Sequence, residues 1–191
     1  MSGIYLAEDG RGKFASIVRF AVDMLAGVPS IIMGIFGYVL WVLPMKRFSA
    51  WAAASALAMI FIPTVVRTTE EMLKTVPVSV REGALALGIE RWKTTLFITV
   101  RTASAGILTG ILLAMARIIG ETAPLLFTAL GNQFWQTGLD QPIAAIPLQV
   151  FNYAISPYDD WHDKAWAGAL VLIGMVLLIS VGARYLTREK K

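Results

Sequence analysis

The chain has 191 residues, 57% of them hydrophobic and 16% charged, with a mean hydropathy of +0.65. A soluble domain carries about 45–50% apolar and about 25% charged residues, so this balance points to lipid as solvent and away from a single water-soluble core. The absence of cysteine excludes disulfides, zinc ribbons and thiol chemistry, and the net charge of +4 has its meaning in where the basic residues fall rather than in nucleic-acid binding.

Crossing about 30 Å of hydrocarbon takes about 20 apolar residues in a helix, because backbone polar groups must be satisfied internally. The head carries Arg11, Lys13 and Arg19 and leads into an apolar run that is too long, and lacks the small-residue site, for a cleavable signal peptide. Charge-free runs at 24–45, 48–66 and 165–183 each predict a span. A fourth apolar region, 98–130, predicts a span that holds Arg101, Arg117 and Glu121 and breaks at Pro124. The spans are placed at about 20–45, 48–67, 98–123 and 165–184. Pro29 and Pro63 lie inside them, where kinks are tolerated.

Thirteen of the seventeen Lys and Arg residues fall in the head to Arg19, in the stretch from Arg67 to Arg101 around the loop that separates the second and third spans, and in the tail from Arg184. The positive-inside rule places those segments in the cytoplasm. Glu70 and Glu71 then read as solvated loop charges. Residues 131–164 form the extracytoplasmic loop. Its Phe134, Trp135, Phe151, Tyr153, Tyr158 and Trp161 suit the membrane–water interface, and 143–155 predicts a short surface helix bounded by prolines. His162 stands among Asp159, Asp160 and Asp163, read as solvated charges with no metal site. Two stripes of small residues, Gly27–Ser30–Gly34–Gly37 and Gly106–Gly110–Ala114, allow close helix approach within the chain or to another subunit.

The cytoplasmic loop 68–97 carries the first motif. Pro77 interrupts the preceding helix, and Ser79 with Glu82 spells a capping box for the next. The segment Arg81-Glu82-Gly83-Ala84-Leu85-Ala86-Leu87-Gly88 is a short helix with a low profile, of the kind that inserts into a partner's groove. Gly88 marks its end, and Ile89–Lys93 follows as a basic, amphipathic stretch. Glu82-Gly83-Ala84 and Gly88 resemble the E-A-A-x-x-x-G motif of ABC importer permeases. Ile98 and Val100 fall where that family has I-x-L, with Gly83 in place of alanine and Arg101 in place of proline. The resemblance implies that Glu82, Gly83, Ala84, Leu87 and Gly88 dock a separate ATPase. The chain has no G-x-x-x-x-G-K-[ST] phosphate loop of its own.

The second motif is charge inside the third span. Intramembrane ionisable residues are costly, about 2.5–3.5 kcal/mol or more at mid-helix, and usually serve a pathway. Arg117 and Glu121 stand i, i+4, close enough to pair. A guanidinium is always protonated and presents a planar fork suited to oxyanions. The stretch 120–124 predicts a helix break, whose free amides and the hydroxyls of Thr122 and Thr128 would help replace an anion's hydration. A static salt bridge is the other reading of this pair.

The run Ala116-Arg117-Ile118-Ile119-Gly120-Glu121-Thr122-Ala123-Pro124 through Leu130 is similar to the PstA-type phosphate permeases. So are Asn132–Trp135, Gln141–Ala144, Ala154–Pro157, Trp161–Gly168, Leu25–Ile31 and Phe36-Gly37. The resemblance implies an all-α polytopic transmembrane helical bundle, with the MetI-like permease fold of type I ABC importers and a single permease domain over 1–191. It accounts for the last four of that family's six spans, with Ile4–Glu8 at the end of the second. It further implies a non-catalytic subunit of the cell inner membrane, in contact with lipid and not with nucleic acid. Its partners are a PstC-type permease, a PstB-type ATPase dimer and an extracytoplasmic phosphate-binding protein. Arg117, Glu121 and Thr122 would line the substrate pathway, without cofactor or metal. The alternatives are a permease for another oxyanion, sulfate or molybdate, and a membrane fragment that does not transport. A membrane-embedded enzyme finds no support, because H-E-x-x-H and G-x-S-x-G are absent.

Overall fold

A computed structural model describes residues 1–8, 10, 12–132, 134 and 138–187, with side chains to residue 185. Arg11, Gln133, Trp135, Arg188, Lys190 and Lys191, which entered the sequence reading, lie outside the described residues. The described residues form helices α1 (Ser2–Glu8), α2 (Lys13–Gly27), α3 (Ser30–Met45), α4 (Ala50–Lys74), α5 (Val78–Ala86), α6 (Arg91–Ile119), α7 (Ala123–Thr128), α8 (Ile146–Ala154) and α9 (Asp159–Thr187). The one β pairing among them is an isolated bridge between Leu130 and Ile143. Helices α4, α6 and α9 are each long and apolar enough to cross a membrane. A fourth span arises where α2 and α3 count as one broken span.

That break falls at Val28-Pro29. Pro29 has φ −57° and ψ 137°, extended values that end α2 and restart the chain as α3, because proline has no N–H and disfavours helix in the residue before it. Two π-helical turns interrupt the ladder elsewhere, at Tyr38–Val42 in α3 and Thr94–Thr99 in α6. In α3 the irregular turn lies directly before Pro44, which cannot donate to the carbonyl four residues back.

The chain forms two compact units, with α4, α6 and α9 contributing to both. In the first (Met1–Ala26, Ile62–Ala114 and Val181–Lys191), α1 lies so close to α4 that a Cβ on Gly3 would come within 2.7 Å of the Val66 carbonyl oxygen. Leu73, Val76 and Ala103 form the core there, with Ile4 and Ala7 packed on it. Gly106 and Gly110 of α6 abut Met72 and Thr68 of α4, so this stripe of small residues serves contact within the chain.

Glu70 corrects the reading of a solvated loop charge. Its side chain is 8% exposed and takes ion pairs from Arg19 at 2.7 Å and Lys74 at 2.5 Å. Arg19 also donates to the Leu6 carbonyl at 3.3 Å, which ties α1, α2 and α4 together. Arg67 adds a second link from α4 to Asp23 of α2 at 3.3 Å. A carboxylate this far out of water is tolerable only when paired.

In the second unit (Gly27–Phe61 and Met115–Ser180), the other small-residue stripe is resolved residue by residue. Gly34 faces the Pro124 backbone and Gly37 faces Ala56 and Thr128, whereas Gly27 has nothing within 4 Å of its added Cβ. Ala53, Leu125, Ala129 and Leu148 make the core. Ser49 starts α4, its Oγ accepting from the Ala52 amide at 3.2 Å, as a helix N-cap does. The amides of Ala50 and Trp51 donate to the carbonyls of Gln141 and Leu139 at 3.1 and 3.2 Å. The short helix predicted within 143–155 is α8, begun by Pro147 in its first turn and packed inward through Leu148. Tyr153 and Trp161 meet edge to face at 5.2 Å.

Candidate functional site: a docking helix and a charged helix stop

Helix α5 presents the residues of the first motif unevenly. Glu82, Gly83 and Gly88 are exposed, and Leu87 is 82% exposed. Ala84 is 5% exposed and packs against its own chain. A Cβ built on Gly83 meets nothing within 4 Å. The capping box expected from Ser79 and Glu82 is not formed. Pro77 (φ −56°, ψ 140°) already starts the helix at Val78, and no side chain caps it, so Ser79 falls inside the first turn. The other end follows the glycine. Gly88 has φ +78°, its amide donates to Leu85 O at 2.9 Å, and the Ile89 amide donates to Ala84 O at 3.2 Å. This is a Schellman stop, which needs the left-handed region that glycine enters without a Cβ clash.

Arg117 and Glu121 do come together, with Nε 3.6 Å from Oε1. They do not share one helix. Helix α6 ends at Ile119 and α7 begins at Ala123, so the carboxylate hangs from the three-residue interruption and reaches back to the last turn. The guanidinium is 59% exposed and the carboxylate 18% exposed. The amides of Gly120 and Glu121 are not free as expected for a broken helix. They donate to Arg117 O at 3.2 Å and Ile118 O at 3.0 Å, a tightened last turn. Thr122 is the N-cap residue of α7; its side chain makes no capping bond, and its carbonyl accepts from Leu125 and Leu126. Thr128 is fully buried and its hydroxyl donates to Pro124 O at 2.7 Å, so it offers nothing to a passing anion. Of the predicted group, Arg117, Glu121 and Thr122 cluster at the stop, held from behind by Gly34 against Pro124.

His162 Nε2 lies 2.8 Å from the Ser156 carbonyl oxygen. Among the described residues no group of three His, Asp or Glu side chains is arranged to hold a metal ion.

The helical bundle and its span-length apolar helices define a polytopic membrane protein with the fold of an ABC transporter permease. The structure superposes on a chain of the MetNI methionine ABC transporter in an inward-facing conformation with a TM-score of 0.80, covering 98% of this chain and 83% of that one at 16% identity. More specifically, the profile of the binding-protein-dependent transport system inner membrane component family matches residues 1–191, and the chain belongs to that family. It is 52% identical over its whole length to the phosphate transport system permease protein PstA of Yersinia pestis, of which it covers 65%. It is 54% identical to the PstA protein of Xylella fastidiosa (strain 9a5c), of which it covers 67%. The chain thus spans about two thirds of the length of these relatives.

Proposed function

We propose that this chain forms part of the permease of an ATP-driven phosphate importer. The observation that carries the reading is identity of 52–54%, across the full chain, to proteins named as phosphate transport permeases. In this reading the chain builds half of the translocation pathway beside a PstC-type permease. A PstB-type ATPase dimer hydrolyses ATP and grips Glu82, Gly83, Ala84, Leu87 and Gly88 from the cytoplasm. A phosphate-binding protein delivers substrate on the side of residues 131–164. The basic head, the loop 68–97 and the tail face the cytoplasm by the positive-inside rule.

The pathway role falls to Arg117, Glu121 and Thr122. Phosphate leaves water only where donors replace its hydration, and an arginine keeps its charge at every physiological pH. Glu121 holds that charge in the absence of substrate, and an incoming anion competes for it. Closure of the ATPase acts through α5 on α6, biasing a two-state bundle between inward and outward access. Labelled-phosphate uptake in membranes that supply the partner subunits tests this. Arg117→Gln should bring uptake to background while the variant still inserts and assembles, and uptake at the parent rate refutes the pathway assignment.

A further inference from the structure

A cavity of about 550 Å³ lies in the first unit, walled by Glu8 at the end of α1, Arg81 of α5, and Arg91, Trp92, Thr94 and Thr95 at the start of α6. Among the described residues, the buried side-chain polar atoms left without a hydrogen bond are Glu8 Oε1, Arg81 Nε and Thr94 Oγ1. All three belong to this one wall. Buried polar groups are nearly always satisfied, and with Glu8 Oε1 ion-paired to Arg81 at 3.2 Å, the two donors on this wall, Arg81 Nε and Thr94 Oγ1, need an explanation.

The charges decide which ligand fits. Arg81 spends Nη2 on the Leu73 carbonyl at 2.7 Å and stands 3.2 Å from Glu8 Oε1, which neutralises that carboxylate and leaves Nε to spare. Arg91 makes no ion pair among the described residues. The lining is therefore net positive. Thr94 and Thr95 open the π-helical turn Thr94–Thr99, where the widened helix disrupts the regular hydroxyl-to-carbonyl register. Thr94 is 5% exposed. Helix α6 turns apolar directly beyond this point, and Trp92 is 56% exposed beside Lys93, 5.3 Å from its ring. That is an interfacial anchor of the kind that sits at headgroup depth.

We propose that this cavity binds a phosphate group, held by Arg91 and Arg81 with the Thr94 and Thr95 hydroxyls as further donors. Two guanidinium groups from different helices and paired hydroxyls suit a tetrahedral oxyanion. Two sources carry that chemistry, inorganic phosphate and the headgroup of an anionic phospholipid, whose binding at basic pockets between helices is physically expected. An occupant ties α5, which carries the Glu82–Gly88 segment, to the first turn of α6. The proposal does not depend on the uptake reading.

The test uses the full chain in two arms. In neutral detergent, thermal unfolding is followed on titration with potassium phosphate against potassium chloride at equal ionic strength. In nanodiscs of phosphatidylcholine and phosphatidylglycerol, native mass spectrometry counts the lipids retained on release. A response to phosphate alone assigns free anion, and preferential retention of phosphatidylglycerol alone assigns a headgroup. A response in both assigns a site that accepts either. In each case Arg91→Gln and Thr94→Val should weaken the response, by roughly tenfold for the loss of the arginine. The proposal is overturned by no response in either arm, or by a response that the variants leave intact.

Discussion

Replacing Gly83 by leucine separates the chain's own stability from its partner's grip. A Cβ at this exposed position of α5 meets nothing within 4 Å, so the chain itself has room. Glycine in a helix interior is about 0.8–1 kcal/mol worse than alanine, and leucine is close to alanine. The isolated chain should therefore unfold at the same temperature as the parent or slightly above it. In a packed groove of the proposed ATPase partner the same side chain overpacks, at a cost of about 1–3 kcal/mol, which is roughly 5- to 150-fold in Kd. The assay pairs thermal unfolding in detergent with titration of the ATPase subunit onto immobilised chain. Binding within twofold of the parent refutes the docking role. Weakened binding accompanied by a lower unfolding temperature refutes the argument from open space. Ala84 is unsuited to the same experiment, because at 5% exposure a larger side chain there would disturb α5 before any partner arrived.

Gly34→Ala should destabilise the chain by about 1–3 kcal/mol, because its Cβ would stand 2.7 Å from Pro124 Cα and backbone gives way less readily than a side chain. Gly27→Ala, facing open space, should stay within about 0.5 kcal/mol in the same thermal assay. Gly88→Ala should cost about 1–2 kcal/mol for the left-handed backbone at φ +78°, and Gly88→Asn should recover part of it; limited proteolysis of the 87–90 turn reads both. Glu70→Gln should lower stability by about 1–3 kcal/mol, since it removes the negative charge that Arg19 and Lys74 share. Unchanged urea or thermal midpoints for Glu70→Gln would show that the pairing of α1, α2 and α4 is incidental.

What the sequence disclosed, and what it withheld, follows the range of each physical signal. The apolar helices α4, α6 and α9 were legible because lipid demands long charge-free runs, a constraint written in consecutive residues. The stop between Ile119 and Ala123 was legible from Gly120 and Pro124, and the turn at Gly88 from a glycine at a helix end. The break at Val28-Pro29 was not: an apolar run with a proline reads equally as a kinked span, and only the extended ψ of Pro29 distinguishes the two. The capping box failed because Pro77 fixes the helix start two residues too early for Ser79. Glu70 was misread because its partner Arg19 stands fifty-one residues away, beyond any local pattern. The wall formed by Glu8, Arg81 and Thr94 was invisible for the same reason, since it joins residues from three separated helices.

The geometry of the Arg117–Glu121 pair bears on why the third span carries charge at all. Were Glu121 one turn further along an unbroken helix, both side chains would be held by the same rigid backbone and the pair would be a fixed strut. Here the carboxylate hangs from a three-residue interruption while the guanidinium stays on α6, so the two can part without unwinding a helix. Their separation of 3.6 Å is longer than the 2.7–2.9 Å of a strong charge-assisted hydrogen bond. That loose contact leaves most of the guanidinium's donors uncommitted. The 59% exposure of Arg117 beside the 18% of Glu121 puts the positive partner outward. An arrangement built only for rigidity would bury both, and one built to repel cations alone would not need the acid. In the proposed pathway role, an incoming anion would compete with Glu121 for a guanidinium that is already the more exposed partner.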